Sequence, residues 1–185
     1  MAMMVLMSMM LVSCDCCEEE KTVDFDFTYT CSEDLLKQVT PVISYTDENG
    51  TPQTLELTPD MLSETNTTSV EHKGFTMTVQ GKEGYVWQKS LHFDDFGVSS
   101  EMTVSYILRP DAEEITDKSY VFMHDLACSI LAQSDHVNTV DTELTMTVGV
   151  QLGADAAKQY IQELLTQKDH RRVTVDKDGK SIREK

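Results

Sequence analysis

Basic residues are scarce in this chain, with 15 Lys and Arg against 32 Asp and Glu among 185 residues and a formal net charge of −17. A surface so acidic repels phosphate backbones and anionic headgroups, which excludes charge-driven binding to nucleic acid or lipid. Glycine is sparse too, at 8 residues, and none of them builds a phosphate-cradling loop. Nowhere does an apolar run reach the roughly 20 residues of a membrane-spanning helix. No Gly-x-Ser-x-Gly elbow or Ser-x-x-Lys pair occurs among the serines. His72, His92, His124, His136 and His170 are scattered, without the His-Glu-x-x-His spacing of a metal helix. His92 beside Asp94 or Asp95 is the nearest approach to a ligand pair, and turn histidines are the plainer account. No resident cofactor or metal is therefore expected. With 40% hydrophobic residues the chain can nonetheless bury a core, and its length suits one domain plus an appendage.

What is present begins at the N-terminus. Met1 to Val12 carries no charged side chain and is dominated by Met, Val and Leu. This run is about half of what a spanning helix needs and suits the apolar core of an export signal. It lacks the Lys or Arg with which such signals normally begin. It ends in Leu11-Val12-Ser13-Cys14, which resembles the lipobox of bacterial lipoproteins at all four positions. The resemblance implies cleavage between Ser13 and Cys14 and a diacylglycerol on the Cys14 thiol. Residues 1–13 are then a signal peptide, and residues 14–21 an acidic, lipidated tether. Neither Cys16 nor Cys17 has a comparable run before it.

Behind Cys14 come Asp15-Cys16-Cys17-Glu18-Glu19-Glu20. An acidic cluster there resembles the surface-export signal of Bacteroidetes lipoproteins and implies display on the outer face of the outer membrane. Asp15 alone, under the enterobacterial sorting rule, would imply retention facing the periplasm. The three glutamates favour the first. The membrane is thus an expected partner, reached through the lipid anchor.

The body, residues 22–176, reads as strands. Thr22 to Thr30 alternates strictly, the mark of a half-buried strand. Ser32 to Lys37 suggests one helical turn. Thr40–Thr46 and Gln53–Thr58 flank Asp47-Glu48-Asn49-Gly50, a hairpin turn by its Asn-Gly. The same residues share letters with a calcium loop but lack its terminal Glu. Pro59 to Gly74 is expected as a polar loop with a short helix near Asp60–Ser63. Strands resume at Phe75–Val79, Gly84–Phe93 and Met102–Leu108, followed by two longer extended stretches, Ser119–Ala132 and Thr139–Leu152. From Ala154, apolar residues recur at three and four positions, predicting an amphipathic helix to about Lys168. Lys168, His170 and Arg171 would suit its negative end. Arg172–Asp176 is expected as an edge strand before an Asp178-Gly179 turn and a charged tail over 177–185.

About eight short strands separated by turns predict a mainly β fold, an antiparallel sandwich with one C-terminal amphipathic helix. With Tyr45-Thr-Asp-Glu-Asn-Gly50 the layout resembles small gut Bacteroidetes lipoproteins with an immunoglobulin-like sandwich. That likeness covers one hairpin and the N-terminus, about a quarter of the chain.

Candidate site residues beyond Cys14 are few. Tyr85 and Trp87 share one strand face, either the core face or a ligand platform. Cys31 and Cys128 fall on strands and are either a disulfide or two buried thiols. Asn66-Thr67-Thr68 is a glycosylation acceptor only in a host with the machinery. Together these features point to a tethered, non-catalytic module binding a glycan or a protein. A strand-adding structural subunit is the alternative, and a small secreted hydrolase the third.

Overall fold

The computed structural model describes residues 20–65, 68–72, 75–79, 84–116, 119–143 and 150–184. Their architecture is mainly β and antiparallel throughout. One five-stranded sheet has the order β11 (Asn138–Asp141), β10 (His124–Gln133), β1 (Thr22–Ser32), β7 (Gly84–Phe93) and β4 (Ser63–Thr65). The other runs β14 (Ser181–Glu184), β13 (Asp169–Val175), β8 (Val98–Leu108), β2 (Val39–Thr46) and β3 (Pro52–Glu56). Two small pairings accompany them, β9 (Tyr120–Phe122) with β12 (Val150–Leu152), and β5 (Thr68–His72) with β6 (Phe75–Val79). One core cluster joins the inner faces of both large sheets, so the molecule is a β-sandwich.

The alternation of β1 explains its central place. Val23, Phe25, Phe27, Tyr29 and Cys31 are all fully buried on the inner face. Each large side chain withdrawn this way contributes about 1.5–3 kcal/mol as an upper estimate. Asp26, Thr28, Thr30 and Ser32 on the opposite face are also buried, so this strand is not half-buried as its pattern predicts. It lies between β7 and β10 along almost its whole length.

Two hairpins use one turn design. At Asp47 and again at Asp176, the Asp amide donates to the carbonyl four residues on, of Thr51 and Lys180. The Asp carbonyl accepts from the glycine amide, of Gly50 and Gly179. Each Asp carboxylate also accepts two backbone amides inside its turn. Gly50 and Gly179 take φ of 76° and 78°, the left-handed region that glycine enters freely. The calcium-loop letters are thereby consumed as a hairpin turn.

Several elements differ from the sequence reading. The region predicted as a loop over 59–74 has its expected short helix as a 3-10 turn (Pro59–Met61), but it also contains β4 and β5. Arg172–Asp176 is no edge strand, since β13 begins at Asp169 and lies between β8 and β14. The expected charged tail supplies that edge as β14. Four residues with a single apolar side chain, Ile182, carry too little apolar signal to be recognised, and they pair with β13. Helix α2 (Ala154–Leu164) stops short of Lys168, with no basic residue in its last turn. His170 and Arg171 belong to β13 instead. Helix α1 (Glu33–Leu36) is the expected single turn.

The two long stretches after residue 119 pair at both ends, and the registers disagree by one. Ile130 stands opposite Asp141, a register that would set Phe122 opposite residue 149; it stands opposite Val150. The second stretch thus carries one residue more than the first between the two paired regions.

Candidate functional site

Polar side chains converge where β8, β10 and β13 approach one end of the sandwich. Along β10, His124 is in phase with the buried Leu126, Cys128 and Ile130, so it points inward, and it stands opposite Cys31 of β1. Along β8, Tyr106 continues the inner phase of Met102 and Val104. β13 opens with Asp169 opposite Val104. Sheet pairing and alternation therefore place all three in the space between the sheets.

The contacts are short. Tyr106 Oη donates to Asp169 Oδ2 at 2.7 Å. His124 Nδ1 lies 2.8 Å from the same oxygen and 2.9 Å from Tyr106 Oη. Because the single Tyr106 proton is committed to Asp169, the hydrogen must sit on His124 Nδ1, which then donates. The cluster ties the first sheet, through His124, to Tyr106 and Asp169 of the second. Tyr160 of α2 closes over it, its ring 6.3 Å from that of His124. Exposure rises along the chain of groups, from the fully buried Tyr29 through Tyr106 at 4% to the side chains of His124 at 15% and Asp169 at 30%.

Electrostatics separates these groups. Burial would raise the Asp169 carboxyl, but hydrogen bonds from His124 and Tyr106, aided by Arg171, outweigh it and hold Asp169 below its usual value. Burial and the Asp169 charge push the Tyr106 hydroxyl up. Burial also pushes the Cys31 thiol up to about 12, so it is a protonated thiol at neutral pH and not a nucleophile. The Tyr29 hydroxyl is fully buried beside Tyr106 and Cys31, and burial with these two neighbours pushes it up.

A second network seals the neighbouring flank. Among the described residues β11 pairs with β10 from Ile130 to Gln133, which leaves the backbone of Cys128 without a described strand on that side. Side chains replace the strand. Glu143 Oε2 accepts the Cys128 amide at 3.1 Å, and Arg183 Nη1 donates to its carbonyl at 2.7 Å. Arg183 also reaches Asp141, and Arg171 reaches Glu143 at 3.2 Å. Next to this network, burial raises the Asp125 carboxyl despite Arg171, with Glu143 and Asp169 adding to the rise.

The residues singled out in the sequence have other fates. Cys14, Asn66 and Thr67 lie outside the described residues. Trp87 is 9% exposed and packs in the core, its ring 6.5 Å from that of Tyr45, with the half-buried Tyr85 against the same cluster. Their face is the core face, and neither ring forms an open platform. Cys31 and Cys128 are both free and buried, the buried-thiol alternative of the two. Cys31 is opposite His124, whereas Cys128 is opposite Phe27. Four residues along a strand are about 13 Å, beyond the reach of a disulfide. His92 Nδ1 contacts Asp24 at 2.7 Å and its Nε2 contacts Asp94 at 3.4 Å. Among the described residues no group of three or more His, Cys, Asp and Glu side chains converges as a metal site. Nor is any described helix long and apolar enough to cross a membrane.

The Tyr106–His124–Asp169 cluster did not emerge from motifs, because its members come from three separate strands. One signal was available: His124 occupies an apolar phase of its strand, where an ionisable group needs a partner across the core. Comparison with protein-family models, with curated proteins and with solved structures returns no match.

Proposed function

We propose that this chain is a lipid-anchored cell-envelope protein, displayed at the cell surface, whose sandwich is a non-catalytic module for binding a glycan or a protein partner. The observation that carries this reading is the junction of two segments. An apolar run ending in Leu11-Val12-Ser13-Cys14 gives way to an acidic stretch, and β1 begins only eight residues after Cys14, at Thr22. A β-sandwich that starts this close to an acylated cysteine is held at a membrane with its loops free to meet partners. The polar cluster supports a scaffold role for the interior, since it clasps the two sheets, and burial keeps the neighbouring Cys31 thiol protonated.

The test is mass spectrometry of the mature N-terminal peptide, combined with protease shaving of intact cells. The native chain is expected to begin at Cys14 with a diacylglyceryl mass and to be cut from whole cells. Cys14→Ala is expected to abolish both. An unmodified Cys14 with residues 1–13 retained overturns the anchor, and a lipidated but protease-protected domain overturns surface display.

One observation favours a second reading, a structural subunit that assembles by strand addition. β4 pairs only with Gly84–Val86, so the remainder of β7 has no strand on its outer side among the described residues. Such an edge offers main-chain hydrogen bonds to an incoming strand. Sedimentation over a wide concentration range tests it, and a monomer throughout counts against self-assembly.

A further inference from the structure

We infer that the sandwich is held end-on to the lipid surface. In this arrangement the turns at Asp94–Gly97, Ser134–Val137 and Asp176–Lys180 face the bilayer. The end carrying α1, α2 and the Tyr106–His124–Asp169 cluster points away. The inference rests on the anchor reading above and adds to it which surface meets lipid and which remains open to a partner.

The direction of β1 sets the geometry. Thr22 stands opposite Gln133 and Val23 opposite Phe93, so the chain enters the fold among those three turns. Its far end, Ser32, stands opposite Gly84 and leads into α1. A strand of this length rises about 33 Å. The eight Cα steps from Cys14 to Thr22 reach at most about 28 Å, short of the rise of β1. The entry end is therefore bound to stay within that distance of the anchor, and the opposite end is not.

The entry end is also fastened into one unit. Thr139 Oγ1 donates to the Gly179 carbonyl at 2.8 Å, and the Gly97 amide donates to the Asp176 carbonyl at 3.3 Å. Phe96 and Val137 press against Gly179 so closely that an added Cβ would meet them at 2.8 and 2.6 Å. Lys21, the last residue before β1, lays its ammonium 5.6 Å from the centre of the Phe96 ring. Residue 21, where the chain joins β1, is thus held against this surface. Asp94, Asp95, Asp135 and Asp178 outnumber Lys21, Lys177 and Lys180 there. That balance gives this end no electrostatic attraction to anionic headgroups, so the anchor and not surface charge must hold it there.

Lysines report the arrangement without new labels, because Lys177 and Lys180 are exposed at the entry end and Lys158 and Lys168 at the other. The full chain carrying Cys16→Ser and Cys17→Ser is coupled through Cys14 to a maleimide lipid in phosphatidylcholine vesicles. It is then acylated with an amine-reactive dextran too bulky to enter beneath the domain, and compared by mass spectrometry with the uncoupled chain. Coupling is expected to lower modification of Lys177 and Lys180 several-fold while leaving Lys158 and Lys168 unchanged. Equal protection of all four, or protection of Lys158 and Lys168 alone, overturns the inference. Since the anchor is supplied chemically, this outcome is independent of whether cells acylate Cys14.

Discussion

Gly50 and Gly179 occupy the same position of the same turn, yet their surroundings assign them different costs. Both have positive φ, but a Cβ on Gly50 meets nothing within 4 Å, whereas one on Gly179 collides with Val137 and Phe96. Gly50→Ala is therefore expected to lose about 1–2 kcal/mol, the left-handed backbone cost alone. Gly179→Ala adds the overpacking cost and should lose about 2–4 kcal/mol. Urea unfolding of the two variants measures the difference, and equal losses would show that the Phe96 and Val137 side chains yield freely. Asp125 and Asp169 form a second contrasting pair. The folded Asp169 carboxyl is held below its unfolded value, so its contribution is present above about pH 4 and fades as pH falls through the lower folded value. Asp125 is raised by burial, so its ionisation opposes folding at neutral pH, and the penalty disappears as pH falls through its folded value. Asp169→Asn should destabilise at pH 7 and Asp125→Asn should stabilise, with both differences shrinking toward pH 3. Urea midpoints across that range check both signs. Neither pair could be ranked from sequence, because neighbours decide each case.

At the scale of elements, alternation made β1, β2 and β7 legible, while β14 was not. Ser181-Ile182-Arg183-Glu184 has one apolar residue, and Ile182 is itself half exposed. Its inward residue is Arg183, whose guanidinium spans from the second sheet to Asp141, Glu143 and the Cys128 carbonyl of the first. An ion-pair network, not apolar burial, holds this edge. Arg183→Ala is expected to cost about 2–3 kcal/mol, since it leaves a strand carbonyl unpaired and Glu143 without one of its two cationic partners. Thermal or urea unfolding gives the loss. Hydrogen exchange should show it concentrated at β14 and the adjoining part of β10, and a uniform change would assign Arg183 no special place. The one-residue register offset between the β10–β11 and β9–β12 pairings was equally hidden. An unbroken run of alternating residues gives no sign of where an extra residue is accommodated.

For the whole molecule, the acidic balance has a direct consequence. A net charge of −17 makes the folded state repel itself more than the expanded chain does. Raising ionic strength from about 10 to 150 mM shortens the screening length from roughly 30 to 8 Å. The Tm should accordingly rise with NaCl over this range. A fall would mean that the ion pairs of Arg171 and Arg183 outweigh the general repulsion. The same acidity bears on partners, since cationic or neutral surfaces can approach the domain at a lower electrostatic cost than anionic ones.

Local periodicity in the sequence determined the class of fold: period-two alternation makes strands, Asp-x-Asn-Gly and Asp-x-Asp-Gly make turns, and one amphipathic stretch makes α2. The sequence also carries the lipobox-like Leu11–Cys14 pattern on which the proposed anchor rests. Tertiary structure alone decided which strands neighbour one another, and with that everything at the cluster. Tyr106, His124 and Asp169 lie up to 63 residues apart, and Cys31 and Cys128 look pairable until register separates them by four positions. The physical reason is that alternation states which face a side chain takes but not what stands opposite, and hydrogen bonds, ion pairs and disulfides depend on what stands opposite.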